Sequence, residues 1–214
     1  FMWFTLLSVG VFGFFVSTDL FTMFMFYEVA LIPMYLLIGV WGSGRKEYAA
    51  MKLTLMLMGG SAFLLIGILG IFYGAGGETM NLLEIAKLHI PHEMQRIFFP
   101  LIFLGFGVLG ALFPFHTWSP DGHASAPTAV SMLHAGVLMK LGGYGCFRVA
   151  MYLMPEGAAM WGDVFLILTT ISVVYGAFSA VVQTDLKYIN AYSSVSHCGL
   201  VLFALLMMTR TSCT

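Results

Sequence analysis

Long apolar stretches alternate with short polar breaks along the chain, and this pattern predicts a bundle of membrane-spanning helices. A helix needs about 20 apolar residues to cross the hydrocarbon core of a bilayer. The pattern predicts a partial span at 1–16 and full spans at 19–41, 50–74, 97–113, 128–152, 160–183 and 187–208. We therefore expect an all-α, polytopic transmembrane helix bundle with roughly six full spans and one partial span.

Polar residues, glycines and prolines predict where these helices end. Asp19 is expected to cap the second helix, and Pro33 is expected to kink it. The polar loop over 74–96 could hold a short interfacial helix. The Phe113-Pro114 pair interrupts the next span, and polar turn residues over 116–127 follow it. Because non-helical backbone at membrane depth is tolerated only inside protein or beside water, a discontinuous helix is predicted here.

Composition supports a membrane protein and argues against other classes. Hydrophobic residues make up 60% of the chain and charged residues 9%, against roughly half and a quarter in soluble domains. The lipid bilayer is therefore an expected partner, and the formal net charge of -1 argues against nucleic acid. Cys146, Cys198 and Cys213 share no short spacing, so we interpret them as small buried thiols. Residues 1–214 are interpreted as a single transmembrane domain and, since Phe1 starts mid-helix, as an internal fragment of a longer subunit.

Two ionisable residues of opposite charge, Glu28 and Lys140, are predicted to lie near mid-bilayer on different helices. Burial raises the pKa of a carboxylate and lowers that of an ammonium group, whereas the approach of an opposite charge does the reverse. A Glu and a Lys held at a variable distance can therefore gain and lose protons. The alternative is a static buried ion pair that locks two helices. His134 and His197 could extend a proton relay, since histidine titrates near neutrality, or could be hydrogen-bonded packing residues.

Other polar residues give weaker signals. His116, Asp121 and His123 surround the predicted turn and could ligate a metal or line a water entry, although turn capping is the expected role of Asp121. The sequence has no P-loop, dinucleotide fingerprint, haem motif or iron–sulfur cysteine pattern. We therefore expect no cofactor, no metal site and no redox centre in this chain.

Three segments resemble the antiporter-like membrane subunits of proton-pumping NADH:quinone oxidoreductase (respiratory complex I), of the type called chain M or subunit 4. They are FYEVALIPMYLLIGVWG at 26–42, FPFHTWSPDGHASAPTAVSMLHAGVLMKLGGYG at 113–145 and QTDLKYINAYSSVSHCG at 183–199. The segments stand in the family's order and extend over nearly the whole chain. The resemblance implies the antiporter-like fold and a membrane subunit that conducts protons.

The resemblance also implies roles for individual residues. Glu28 matches the family's membrane-embedded glutamate, Lys140 the central-axis lysine, and Lys187 the lysine of the polar turn before a later helix. One departure is Leu109, which stands seven residues before the histidine of the HTW motif, where family members usually carry a lysine. Glu28 is then expected to find another partner, such as Lys140 through water, or the usual half-channel is altered.

The resemblance further implies the molecular setting. NADH, FMN, iron–sulfur clusters and quinone would be bound by partner subunits, while this chain would contact other membrane subunits of complex I, lipid and protons. The expected location is an energy-transducing membrane, either the bacterial inner membrane or an organellar one. Two alternatives remain: a subunit of a cation/proton antiporter or membrane-bound hydrogenase, and a structural scaffold whose buried charges only fix helix packing.

Overall fold

The computed structural model describes residues 1–211, with side chains as far as Met207, and these residues fold into a helix bundle. The helices are α1 (Met2–Val16), α2 (Leu20–Trp41), α3 (Lys46–Gly74), α4 (Leu82–Ile85), α5 (His92–Leu109), α6 (Trp118–Ser125), α7 (Thr128–Leu133), α8 (Met139–Gly145), α9 (Pro155–Val182) and α10 (Leu186–Thr211). Two π-helical turns, His134–Leu138 and Cys146–Met151, flank α8 and make the chain continuously helical from α7 to Leu153. The predicted all-α fold is confirmed. Cys146 and Cys198 are buried free thiols, and Cys213 lies outside the described residues.

Four helices of the described region are long and apolar enough to cross a membrane: α2, α3, α9 and the Leu186–Met207 part of α10. α1 is a shorter apolar helix, in agreement with the predicted partial span. α5 has only 18 residues, and the helix that follows α6 is divided by its π-helical turns. For these two segments, membrane crossing stays a prediction.

Side-chain caps begin α2 and α4. Asp19 begins α2 as predicted, because its carboxylate accepts a hydrogen bond from the backbone amide of Thr22 at 3.0 Å. Asn81 begins α4 in the same way, accepting from the amide of Leu83 at 3.0 Å. Such caps satisfy amide groups that have no partner inside the helix. The short helix expected within the polar loop is therefore confirmed.

The helix break lies at the predicted place and is formed by the backbone. α5 gives way to Gly110, and Ala111 adopts a positive φ of 55°. The amide of Ala111 donates to the carbonyl of Val108 at 3.1 Å, and the amide of Leu112 donates to that of Gly107 at 2.8 Å. This double hydrogen bond is a common way to end a helix, because it satisfies the last free carbonyl groups. The chain can therefore turn away while its backbone remains paired.

The segment after the break is not the open polar turn predicted over 116–127, because residues 118–125 form α6. Pro120 lies in the first turn of α6, where the missing amide of proline removes no intrahelical hydrogen bond. A short helix also pairs backbone groups with each other, which suits a segment surrounded by apolar helices. Asp121 is consequently a helix residue rather than a turn cap.

Close backbone approaches position α6 and α8. A Cβ atom at Gly142 would lie 2.5 Å from the nitrogen of Gly110 and 2.6 Å from the carbonyl oxygen of Phe106, so only glycine allows α8 to touch the end of α5. A Cβ atom at Gly122 would lie 3.3 Å from a ring carbon of His134. The first contact places α8 against the end of α5, and the second places α6 against the first π-helical turn.

Candidate functional site

Lys140 lies on α8, and its side chain is exposed on the outside of the bundle. The buried residues of α8 are Met139, Leu141, Gly142 and Gly145, so the packed side of the helix excludes Lys140. Its ammonium nitrogen lies 3.5 Å from the sulfur of Cys198, beside a small cavity of about 60 Å³. Among the described residues Lys140 is therefore exposed, and its place near mid-bilayer stays a prediction. The amino group is accessible at the surface between α8 and α10.

Glu28 lies on α2 and is partly buried. Its Oε1 atom is buried and has no hydrogen-bond partner among the described residues. The two ion pairs found among those residues join other side chains, so the direct pairing of Glu28 with Lys140 is not formed. The reason is the fold: α8 packs on α1, α5 and α10, whereas α2 packs chiefly on α1 and α3. Leu109, at the position of the family's usual lysine, is a buried core residue and offers Glu28 no charge.

A cluster of aromatic rings connects α6 to the first π-helical turn. The imidazole of His134 stacks on that of His123, with ring centroids 4.2 Å apart, and on the indole of Trp118 at 5.3 Å. All three side chains are at most 1% exposed. The indole N–H of Trp118 donates to the carbonyl of Val108 at 3.0 Å, which anchors the stack to α5. The structure therefore places two titratable rings in contact inside the bundle.

The polar atoms of these two histidines are largely without protein partners. Nδ1 of His123 lies 3.0 Å from the hydroxyl of Ser131. Nε2 of His123 and both ring nitrogens of His134 are buried and have no hydrogen-bond partner among the described residues. His134 was predicted either as a relay or as a hydrogen-bonded packing residue. His134 packs against two aromatic rings. Among the described residues its ring nitrogens make no hydrogen bond, so the second prediction holds only for the packing.

Lys187 lies in the first turn of α10, where Asp185 accepts a hydrogen bond from its amide at 3.0 Å. Its ammonium group donates to the carbonyl oxygens of Ala124 and Ala126 at 3.3 and 3.1 Å. Ala126 is the residue that ends α6. A cation at the C-terminus of a helix is favoured by the partial negative charge of the free carbonyl groups. Lys187 therefore holds the end of α6 against α10.

A second charged contact, an ion pair between α3 and α6, was not predicted from the sequence. The ammonium of Lys52 on α3 forms an ion pair with the carboxylate of Asp121 on α6, with Nζ 2.6 Å from Oδ2. The role expected for Asp121, turn capping, is therefore wrong. Asp121 lines a cavity of about 640 Å³ together with polar residues of two other segments, among them Arg45, Asp185 and Lys187. The sequence does contain a signal for this ion pair, because Lys52 is a cation in an otherwise apolar stretch and needs a partner of opposite charge.

The remaining predicted residues lie apart from this cluster. His197 is on the exposed side of α10. His116 is buried, and its ring contacts that of Tyr175 at 4.9 Å. Among the described residues, no group of three or more His, Cys, Asp or Glu side chains could hold a metal ion. The interpretation of His116, Asp121 and His123 as metal ligands therefore gains no support.

Comparison with protein-family models places this arrangement in a known group. Residues 17–214 match the family described as NADH:quinone oxidoreductase/Mrp antiporter, TM. The chain belongs to this family. It is an integral membrane protein with the antiporter-like fold, as the resemblance of the three sequence segments implied.

Individual relatives agree with the family match. The chain is 43% identical over 198 residues to NAD(P)H-quinone oxidoreductase chain 4 3 of Picosynechococcus sp., covering 92% of this chain and 36% of that protein. It is 41% identical to the chloroplastic chain 4 of Citrus sinensis, covering 94% of this chain and 41% of that protein. The chain thus spans well under half the length of these relatives.

Solved structures show the same fold. A chain in the structure of respiratory complex I from Thermus thermophilus with bound NADH matches with a TM-score of 0.88 and 30% identity, covering 94% of this chain and 43% of that one. A chain of an archaeal membrane-bound sulfane sulfur reductase matches with a TM-score of 0.87 and 30% identity, covering 95% and 42%. A chain of the Mrp complex from Dietzia sp. matches with a TM-score of 0.83 at 23% identity, covering 94% and 38%, which shows likeness of fold alone.

Proposed function

We propose that this chain is part of a membrane subunit that conducts protons in NADH:quinone oxidoreductase, while electron transfer occurs in other subunits. The named relatives are chains of NAD(P)H-quinone oxidoreductases. A solved structure that matches this chain is a subunit of respiratory complex I, a multisubunit complex. Other membrane subunits, lipid and protons are then the partners of this chain. NADH, FMN, iron–sulfur clusters and quinone are bound elsewhere, and this chain carries no redox centre.

The observation that carries the proposal is a succession of titratable side chains across the bundle. Lys187 lies at the end of α6, the stacked imidazoles of His123 and His134 lie inside, and Lys140 lies beyond them on α8. Ionisable groups within membrane segments are costly and usually line ion paths. Such a series favours stepwise proton transfer over simple packing.

Each predicted residue has a role in this mechanism. Lys140 is the central proton carrier, and its ammonium nitrogen lies between α8 and α10, 3.5 Å from the sulfur of Cys198. Glu28 is the modulating acid, and its buried Oε1 atom has no hydrogen-bond partner among the described residues. His134 and Lys187 are relays between Lys140 and the cavity of about 640 Å³ that Lys187 lines. His197, on the exposed side of α10, is a relay toward whatever packs there.

The test is the Lys140→Ala variant of the complete subunit in its assembled complex. Proton translocation per NADH oxidised should be lost or strongly reduced, because a group that takes up and releases protons is removed. Lys87→Ala is the matched control, because Lys87 is an exposed lysine in the polar loop that contains α4. Translocation is followed by quenching of a pH-sensitive dye in proteoliposomes. Unchanged translocation in an assembled Lys140→Ala complex contradicts the proposal.

A cation/proton antiporter subunit is the second candidate, because the matched family includes the Mrp antiporters. The two functions differ in the ion carried and in the partners. An antiporter subunit would give sodium-dependent pH changes without NADH, in a complex that lacks NADH- and quinone-binding subunits. Purification of the native complex and identification of its subunits decides between them.

A further inference from the structure

A cavity beside Lys187 reaches close to the buried histidines. The cavity has a volume of about 220 Å³ and lies between the start of α7 and the start of α10. Its polar lining residues are Thr128, Ser131, Lys187 and Asn190. Two of these, Thr128 and Asn190, are exposed. The cavity is therefore open to the outside of the bundle and is large enough for several water molecules.

Ser131 is the residue of this cavity that contacts the buried imidazoles. Its side chain lines the cavity, and its hydroxyl lies 3.0 Å from Nδ1 of His123. A hydroxyl can donate and accept at the same time. Ser131 can therefore hydrogen-bond to water in the cavity while it is bonded to a ring that is only 1% exposed.

The imidazoles beyond Ser131 require further hydrogen-bond partners. Three of their four ring nitrogens are buried and have no partner among the described residues. Buried polar atoms in native proteins are nearly always bonded to protein or to ordered water. The two rings are stacked at an interplanar angle of 27°, so neither can point an in-plane N–H at the other. Bridging water is the partner that would satisfy these nitrogens and extend the hydrogen-bonded path inward from Ser131.

We propose that the Ser131 hydroxyl is the link through which protons pass from the cavity beside Lys187 to the buried pair His123–His134. This inference rests on the proposed function and identifies the point of proton entry. Ser131 accepts a proton from a hydronium ion in the cavity, which becomes water, as it gives its own hydroxyl proton to Nδ1 of His123. The imidazolium then releases a proton from Nε2 to a bridging water on the side of His134. No net charge remains on Ser131, and the imidazole returns to its neutral form with the proton on the other nitrogen.

The position of Ser131 suits this role. Ser131 is only partly buried and lies one turn into α7, so its backbone is already hydrogen-bonded to Pro127 at 2.9 Å. Its hydroxyl is therefore not needed as a helix cap. His134 follows three residues later, at the start of the π-helical turn that leads to Lys140. The hydroxyl thus connects water outside the bundle to the helix that carries the proposed central lysine.

The test compares Ser131→Ala, Ser131→Thr and Ser131→Val in the complete subunit within its assembled complex. Threonine keeps a hydroxyl, and valine has the same shape without one. We expect loss of proton translocation per NADH oxidised in the Ala and Val variants, and translocation close to that of the unchanged protein in the Thr variant. Ser194→Ala is the matched control, because the Ser194 hydroxyl is exposed and donates only to the carbonyl of Asn190 at 2.9 Å within its own helix.

Two results overturn the entry route. One is a Ser131→Ala complex that translocates protons as well as the unchanged protein, and the other is an equal loss in the Thr and Val variants. Alanine removes a single oxygen from a cavity wall, so the Ala arm remains informative if valine disturbs assembly. The Lys140→Ala variant keeps the two proposals apart. If Lys140→Ala stops translocation while Ser131→Ala does not, the entry through Ser131 fails and the proposed function stands.

Discussion

Replacement of Gly142 by alanine tests whether the close approach of α8 to the helix break is real. A Cβ atom there would lie 2.5 Å from the backbone nitrogen of Gly110 and 2.6 Å from the carbonyl oxygen of Phe106. Ordinary contact begins at 3.4 Å, so the helices would have to separate by about 0.9 Å, the difference between 3.4 and 2.5 Å. The two obstructing atoms are themselves hydrogen-bonded at 2.9 Å, so neither can move alone.

The energetic cost follows from this geometry. Overpacking costs about 1–3 kcal/mol, and a clash with backbone atoms belongs at the upper end of that range. Alanine regains about 1 kcal/mol of helix propensity over glycine, so Gly142→Ala should lose about 2 kcal/mol in the free energy of unfolding. Gly136→Ala is the control, since a Cβ atom there has no neighbour within 4 Å. That variant should be neutral or slightly stabilising.

The assay is thermal denaturation of the complete subunit, purified in detergent, for both variants and the unchanged protein. Gly142→Ala should melt at a lower temperature than Gly136→Ala. A displacement near 1 Å next to Lys140 should also reduce proton translocation. Equal melting temperatures for the two alanine variants would refute the close packing of α8 on α5.

Two further predictions concern contacts between distant parts of the chain. Lys52→Met, Asp121→Asn and the double variant should give a coupling free energy of about 1–3 kcal/mol, between the values for exposed and for buried pairs, because the side chains are 24% and 28% exposed. Additive effects in denaturation experiments would mean that the pair contributes nothing to stability. Gln95→Leu should destabilise by about 2–4 kcal/mol, because it leaves two buried backbone groups unpaired: the carbonyl of Ile90 and the amide of Gly157, now bonded to Gln95 at 2.9 and 3.1 Å. Unchanged stability in a melting experiment would show that both groups find other partners.

The pattern of apolar and polar residues predicted most helix ends to within a few positions. α2 begins after Asp19 and stops at Gly42 as expected, because caps and glycines act on neighbouring residues. The break after α5 was also predictable, since proline and glycine limit the backbone locally. The helix α6 was not predicted, because the turn-forming residues of its sequence also occur in the first turn of a helix.

The sequence by itself determined the class of protein and the order of its long helices, and it singled out Glu28 and Lys140 as ionisable residues in apolar segments. Those features depend on local backbone preferences and on the cost of placing charge in lipid. Tertiary structure alone decided which of these residues meet. It pairs Lys52 with Asp121, 69 positions away, stacks His123 on His134 and separates Glu28 from Lys140. Periodicity indicates that a helix has a packed side, but the neighbour on that side depends on how all the helices are arranged.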